Sequence, residues 1–561
     1  MSMQEPLFGD YPVPEDTARV AKRAFPNGNI YIQLRDRFGM LYQNADFAHL
    51  FSHEGQPALA PARLALVSVM QFMEGVGDRH AADWVRDRIS WKYALGLELD
   101  DPGFNFSVLS EFRDRLLADD AEALLFDTVL ALFREAGLLK ARGKQRTDAT
   151  HVLAAIRTLS RLEHLGETMR AVLNRLADLA PAWLRRVADP AWVERYDQPT
   201  DHYRLPKSES KRTALAVAIG QDGYRLLTAC WAADAPDAVR AEPLVEHLRR
   251  VWVQQFYRCD DPRAPLVRLR ATEEQPPSAR LFVSPYDTDA RFSTKREMGW
   301  TGYKVHLSET CEDDAPNLVT QVLTTPATTP DSAVTARIHA GLEQRGLLPG
   351  EHYLDAGYVD GTVMVESRRD YGVEVVGPLS RDPSWQARIA GGVTQNQFVL
   401  DWEAKRARCP EGVSSQSWNE ERDKDGKPVV VVQFPEAACG VCGRVAQCTQ
   451  AKRPRRTLTL RPREQYEAIQ AGRAQQQTSA FRHRYRRRAG IEGSFSQGNS
   501  RSDLRHARYW GLAKVHLQHI LTAVALNLYR ALAWLAEVPR SKTRTSAFAR
   551  LMALPLDVVC S

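Results

Sequence analysis

The chain has 561 residues, 44% hydrophobic and 26% charged, which supplies several packed domains and excludes a disordered tail or a disulfide-stapled mini-protein. Lys and Arg number 75 against 69 Asp and Glu, but fifteen Lys/Arg against four Asp/Glu fall between Ala451 and Trp510, which leaves the rest of the chain net acidic. Met1 to Val20 carries Glu5, Asp10, Glu15 and Asp16 with no apolar core, and no run approaches the ~20 apolar residues that span a bilayer, so neither a secretory signal nor a membrane span is expected and a cytoplasmic location is.

From Pro61 to about Leu139 the apolar spacing is helical, with Leu125, Val129, Leu132 and Phe133 on one face and Gly137 and Gly143 closing the segment. Residues 1–140 are therefore expected to form an all-helical N-terminal domain for DNA binding or assembly. Within it, Arg79, His80, Trp84, Arg86, Arg88, Trp91 and Lys92 read in two ways: as a surface facing DNA phosphates, or as a bundle with tryptophans inside and arginines solvated. An extended run from Gln145 to Ile156 follows, then a charged helical stretch from about Ser160 to Arg195, read as part of a helical insertion over about 158–280. Tyr303, Val305 and Leu307 alternate with polar residues, Leu318 to Leu323 is a second apolar run, and Cys311 to Pro316 turns between them as a hairpin. Thr329 is placed as an N-cap, Pro330 as the first helical residue and Gly346 as the terminator. A short strand ending at Tyr353 to Asp355, a helix around Val363 to Arg369 and a strand at Val373 to Val376 complete a mixed α/β sheet over 141–378. Residues 379–456 hold β-like pieces, an Asp425-Gly426 turn and four cysteines. Helix returns from Arg463 to about Ala536, within a C-terminal core segment at 457–540 that precedes a tail at 541–561.

Three acids stand out as candidate cation ligands. Asp148 lies in Arg146-Thr147-Asp148-Ala149-Thr150 on the first strand, and Asp355 follows Tyr353-Leu354 at a strand end before Gly357. Either alone is more often a turn-capping residue than a ligand. Tyr485, Arg488 and Glu492 are spaced i, i+3 and i+7, which puts them on one helical face, with Arg484, Arg486 and Arg487 around them. Glu492 is thus either an ion-pair partner or the third member of a metal site beside a phosphate-binding surface. Asp287 and Asp289 compete for the role and are read as loop acids paired with Arg291 or Lys295; His151 and His306 are read as structural or phosphate-contacting. Cys409, Cys439, Cys442 and Cys448 have the composition of a structural zinc site, with four reduced, buried thiols as the alternative. Cys230, Cys259, Cys311 and Cys560 are read as ordinary core or surface residues.

Arg482 to Glu492 continuing into Gly493-Ser494-Phe495-Ser496-Gln497-Gly498 resembles the Tyr-x-x-Arg-x-x-x-Glu signature of transposases of the insertion-sequence-four superfamily. Arg508 to His519, Thr294-Lys295-Arg296 through His306, and Thr324 to Pro330 resemble its insertion-sequence-eleven-eighty-two branch. The resemblance runs from about Phe38 to Ala536. It implies an RNase H-like catalytic core with Asp148, Asp355 and Glu492 as an acidic triad holding two Mg²⁺ (or Mn²⁺) ions. It further implies cleavage of double-stranded element ends, joining of their 3′-hydroxyls to target DNA, and a homodimer or higher assembly on DNA. Tyr485, Arg486, Arg487, Arg488, Asn499, Arg501 and Lys514 are the implied DNA contacts. The family places Lys where this chain has Asn499; Arg501 is the nearest substitute, and Gly493 and Gly498 argue against a straight helix through that position. Three carboxylates suit the chemistry, because phosphodiester cleavage builds charge on attacking and leaving oxygens that hard divalent cations stabilise. A metal-dependent nuclease without strand transfer and a domesticated DNA-binding protein that has lost catalysis are the competing functions.

Overall fold

Arg146, Asp148, Thr150 and Val152 alternate with Gln145, Thr147, Ala149 and His151, and this period of two underlies the strand at the centre of the sheet, Lys144–Leu153 (β1). The chain was analysed as a computed structural model, which describes residues 2–3, 11–52, 54–200, 205–258, 267–295, 297–539 and 546–552. Arg291–Lys295 (β2), Met298–Thr310 (β3), Val319–Pro326 (β4), Glu351–Leu354 (β5) and Glu374–Val376 (β6) complete a six-stranded sheet. β1 pairs antiparallel with β3 and parallel with β5, and β6 extends the parallel side beyond β5. β3 also pairs antiparallel with β2 along its first half and with β4 along its second. The expected hairpin is therefore present with longer strands, and the mixed sheet is consistent with an RNase H-like core.

The helix after β4 starts later than Thr329 and Pro330 predict. Asp331–Ala333 forms a 3-10 turn, and the α-helix (α3 below) spans Thr335–Gln344. Lys304 explains the delay: its Nζ donates to the Thr329 carbonyl and the Asp331 carboxylate, each at 2.9 Å, and holds that segment against the sheet. Gly346, with φ at 62°, terminates the helix as expected.

Helices fill the described residues between Glu15 and Glu135, among them Pro61–Glu74 (α1) and Glu122–Glu135 (α2). They do not close on a core of their own. Met70, Phe72, Phe126 and Phe133 belong to the same apolar core as Tyr303 and Val305 of β3 and Leu521 and Val524 of the long C-terminal helix, so the expected N-terminal helical domain and the sheet are one packed unit. The basic and aromatic stretch is of the packed kind: Trp91 is fully buried edge-on to Trp84, and Lys92 is buried with Nζ on the Asp101 carbonyl at 2.8 Å.

Residues 361–371 form a helix (α4, Gly361–Tyr371) capped by the Asp360 side chain on the Val363 N–H. Past the cysteine-bearing segment, Ile491–Ser502 (α5) runs straight through Gly493, Gly498 and Asn499, contrary to the break those glycines predict. Gly498 packs against Leu504 and Leu526, and Ile491 and Phe495 are buried, so tertiary packing outweighs the intrinsic cost of two glycines, about 1 kcal/mol each. Leu512–Leu535 (α6) is apolar nearly all round and correspondingly central. Its Asn527 completes the backbone of β4, accepting from Val319 N at 2.7 Å and donating to Val319 O at 2.8 Å. No helix of the described residues is long and apolar enough to cross a membrane.

Two insertions carry cores of their own. Between β1 and β2, helices such as Arg161–Leu179, Glu209–Cys230 and Pro243–Gln255 pack around Leu165, Met169, Leu226, Val251 and Trp252; the first is opened by a Ser160–Glu163 capping box. Between α4 and α5, strands Ser417–Arg422, Pro428–Gln433 and Thr457–Leu460 pack around Val432, Phe434 and Leu460, with Gly426 at φ 76° in the predicted turn.

One buried ion cluster ties helices to sheet. Glu309 of β3, fully buried, accepts from Arg146 Nε of β1 at 2.7 Å, from Arg530 Nη1 of α6 at 2.9 Å, and from the Ser494 hydroxyl of α5. Removing that one charge strands two guanidinium groups out of water. Glu309→Gln should lower unfolding free energy by about 3–5 kcal/mol, as measured by denaturant unfolding; a loss within the usual ±0.5 kcal/mol of a surface change would show that water reaches the cluster.

Candidate active site

Asp148 faces α5 from β1, on the same side of the strand as Arg146. Its own backbone neighbourhood fixes the carboxylate, with Oδ1 accepting from Ala149 N at 2.8 Å. Asp355 follows directly on β5, the parallel neighbour of β1, so the strand pairing itself brings these two acids side by side. Glu492 lies in the first turn of α5, where the helix dipole favours a negative charge. All three line one cavity of about 610 Å³, together with Thr150, His151, Lys295, Trp300, Lys304 and Arg488.

Arg488 sits among the acids. Its guanidinium donates to Asp148 Oδ2 and lies 3.8 Å from Asp355 Oδ2. Asp148 is nearly buried, whereas the Asp355 side chain is 45% exposed. Burial pushes the Asp148 carboxyl up to about 6, Arg488 and the Ala149 N–H pull it down, and Asp355 and Glu492 add to the rise.

The backbone around Arg488 differs from the single helix that the i, i+3, i+7 spacing implies. Tyr485 ends one helix, Ser479–Tyr485; Arg486–Gly490 is a 3-10 turn, and Glu492 opens α5. The tighter winding places the Arg487 carbonyl on Arg146 Nη1 at 2.6 Å. Gly490 is required there, because a Cβ would meet the locked Arg146 guanidinium at 2.1 Å.

The expected DNA contacts separate into several groups. Arg486 is exposed. Arg487 pairs with Asp313 at 2.8 Å and Lys514 with Asp114 at 2.8 Å, partners that exposed ion pairs release at little cost. Tyr485 stacks on Phe481 with ring centroids 5.6 Å apart. Asn499 is turned away from the cavity, its Oδ1 accepting from Arg505 N at 3.4 Å, and Arg501 lies over the Tyr529 ring at 3.9 Å. Neither Asn499 nor Arg501 is among the residues that line the cavity.

Asp287 and Asp289 are structural, as expected, but not through Arg291 or Lys295. Asp287 is buried and accepts from Tyr303 Oη at 2.5 Å and Ala290 N at 3.1 Å, while Asp289 accepts from Leu512 N at 2.9 Å and anchors the start of α6. Arg291 donates to backbone carbonyls of Thr288 and Ala290 instead. His306 is buried between Tyr358 and Thr325, whereas His151 lines the cavity against Trp300. The sequence reading missed Glu309 and the Lys304–Asp331 pair; their only early signal was polar residues on otherwise apolar strands.

Cys409, Cys439, Cys442 and Cys448 line a second cavity, of about 200 Å³, in the β-rich insertion. All are free thiols; burial pushes the Cys448 thiol up, Arg456 pulls it down, and the other three sulfurs add to the rise. Cys230 and Cys311 are buried free thiols, and Cys259 and Cys560 lie outside the described residues. Among the described residues no three His, Cys, Asp or Glu side chains are gathered tightly enough to hold a metal ion as they stand. By donor chemistry both groups suit one: carboxylate oxygens for a hard cation, with Arg488 now supplying positive charge between two of them, and thiolates for zinc.

Two protein families match the chain. The family described as "Transposase DDE domain" matches residues 408–532, a stretch that includes all four clustered cysteines, Arg488, Glu492 and most of α6. "Transposase domain (DUF772)" matches residues 19–115, within the N-terminal helices. No curated protein matches the whole chain or a part of it. Both matches are to transposase domains, and together they support an insertion-sequence DDE transposase.

Proposed function

We propose that the protein binds the ends of its insertion sequence, cleaves them and joins the freed 3′-hydroxyl ends to target DNA. In this reading it is a member of the insertion-sequence-four superfamily, near the insertion-sequence-eleven-eighty-two branch, and acts as a homodimer or larger assembly on paired ends. The observation that carries this reading is the convergence of Asp148, Asp355 and Glu492, distant in sequence, on one cavity. In this reading they hold two Mg²⁺ (or Mn²⁺) ions, which when bound stabilise charge on the attacking and leaving oxygens of a phosphodiester. The chain's own part is positional. Ala149 N–H and β1 hold the Asp148 carboxylate, the Glu309 cluster fixes α5 and so Glu492 against the sheet, and Arg488 neutralises the two aspartates until the cavity is filled. The same guanidinium would be available to bind a DNA phosphate if those carboxylates were held by a cation instead.

Asp148→Asn, Asp355→Asn and Glu492→Gln keep shape and remove the charge that a hard cation needs. Each should lower cleavage of end-bearing DNA with Mg²⁺ by about a hundredfold or more, while binding of the same DNA is retained. Combining them should cost little more, since such groups act as a unit. Full activity in all three variants would sink the metal-site reading. Cleavage without joining of 3′-hydroxyl ends would make the protein a nuclease, and an inert wild type a binding protein.

The four cysteines are proposed to hold a structural zinc that braces the β-rich insertion, supported by their sharing one cavity. Elemental analysis of protein purified without chelators should find about one zinc per chain. A Cys439→Ala, Cys442→Ala variant should lose it and lose protease resistance in residues 379–456. Zinc-free wild type with an intact insertion would mean four reduced thiols.

A further inference from the structure

Several basic residues of the C-terminal segment already have carboxylate partners. Arg484 is held by Glu351 and Glu374, Arg487 by Asp313, Arg488 by Asp148 and Lys514 by Asp114. Arg505 has no carboxylate partner among the described residues. Its Nε donates to Thr150 Oγ1 at 3.1 Å, and Thr150 lines the acidic cavity two residues along β1 from Asp148.

Arg505 is fixed there by its backbone. Asp503, at φ 53°, ends α5 in a left-handed turn that sends the chain back along β1. Leu153 N then donates to Arg505 O at 2.7 Å and Ala507 N to Leu153 O at 2.8 Å, so 505–507 lies beside the end of β1 like a short added strand. The turn also explains Asn499, whose side chain supports the Arg505 N–H.

Lys295 reaches the same place from the β2–β3 hairpin. It lines the cavity, is exposed, and has no ion-pair partner among the described residues. Both it and Arg505 act on His151: burial first, then Arg505, His506 and Lys295, hold that imidazole below its usual range. His506 is itself paired with Asp503 at 2.6 Å, whereas Arg505 and Lys295 have no carboxylate partner among the described residues. Two pre-placed, unneutralised cations beside a cavity with an acidic floor call for an anion that spans both, and a phosphodiester chain is such a ligand.

We propose that Arg505 and Lys295 form a phosphate subsite that holds the DNA strand one or two phosphates from the bond presented to Asp148, Asp355 and Glu492. Arg505 thereby supplies, from the turn after α5, the positive charge that Asn499 lacks. This rests on the transposase reading, and the test separates the two. Binding of a short duplex carrying the DNA that borders this reading frame is measured without divalent metal across a salt series. Arg505→Gln and Lys295→Gln should each weaken binding several-fold and reduce the salt slope by about 0.9, while Arg505→Lys keeps most of the slope. A single neutral methylphosphonate near the cut site should cost the wild type affinity and cost Arg505→Gln almost nothing, a difference that a merely structural role of Arg505 would not produce. Lys295 is exposed, so its variant should unfold at the wild-type temperature and remain informative if Arg505→Gln is destabilised. Unchanged slopes in both Gln variants, with wild-type binding intact, overturn the subsite and leave the transposase reading standing. Wild type that does not bind the duplex overturns both.

Discussion

The placement of Glu492 depends on a carboxylate that takes no part in the chemistry. Glu309, with no solvent exposure, joins Arg146 on the neighbouring strand to Arg530 and Ser494 on two helices. Two guanidinium groups around one buried acid are tolerable only because every donor finds an acceptor. Arg146 also takes the Arg487 carbonyl, and Arg530 takes the Asn317 carbonyl, Gln497 and the Ser494 hydroxyl. The cluster is directional where apolar packing is not. It fixes the rotation of α5 about its axis and hence where the first turn of that helix, with Glu492, meets β1.

On the solvent side of that cluster the balance of charge reverses. Asp148, Asp355 and Glu492 are three acids served by one close cation, Arg488. The upward displacement of the Asp148 carboxyl follows first from burial and then, against the pull of Arg488 and the Ala149 N–H, from its acidic neighbours. Such an arrangement is stable with an internal arginine and better satisfied by added positive charge.

The sheet also determines what the insertions can do. Both leave the core at points flanking the cavity, one between β1 and β2 and the other between α4 and α5, and each folds around its own apolar cluster. They add mass without interrupting the β3-β1-β5 pairing that sets Asp148 beside Asp355. The N-terminal helices behave differently. Their apolar faces have no second layer except α6 and the sheet, so they are part of the same core rather than an appendage.

Much of this was legible in the sequence because it rests on local periodicity. The alternation in 144–153 and 303–307, the Pro and Gly punctuation, the Asp425-Gly426 turn and the acid at the end of the strand before Gly357 all follow from the geometry of a single segment. The spacing of Tyr485, Arg488 and Glu492 likewise put one glutamate next to one arginine. What the spacing could not give was the 3-10 turn at 486–490, the late start of α3, or the continuity of α5 through two glycines. Each is imposed by a contact from elsewhere in the chain: the Arg146 guanidinium on the Arg487 carbonyl, Lys304 on Thr329 and Asp331, and Leu504 and Leu526 against Gly498. The same holds for charge. The sequence alone determined that positive residues concentrate between Ala451 and Trp510 and that two acids belong to strand segments and one to a helical one. Only the tertiary structure decided which cations are spent on Glu351, Glu374, Asp313 and Asp148 and which, like Arg505 beside Thr150, have no carboxylate partner among the described residues, because ion pairing depends on distances between segments that no local pattern encodes.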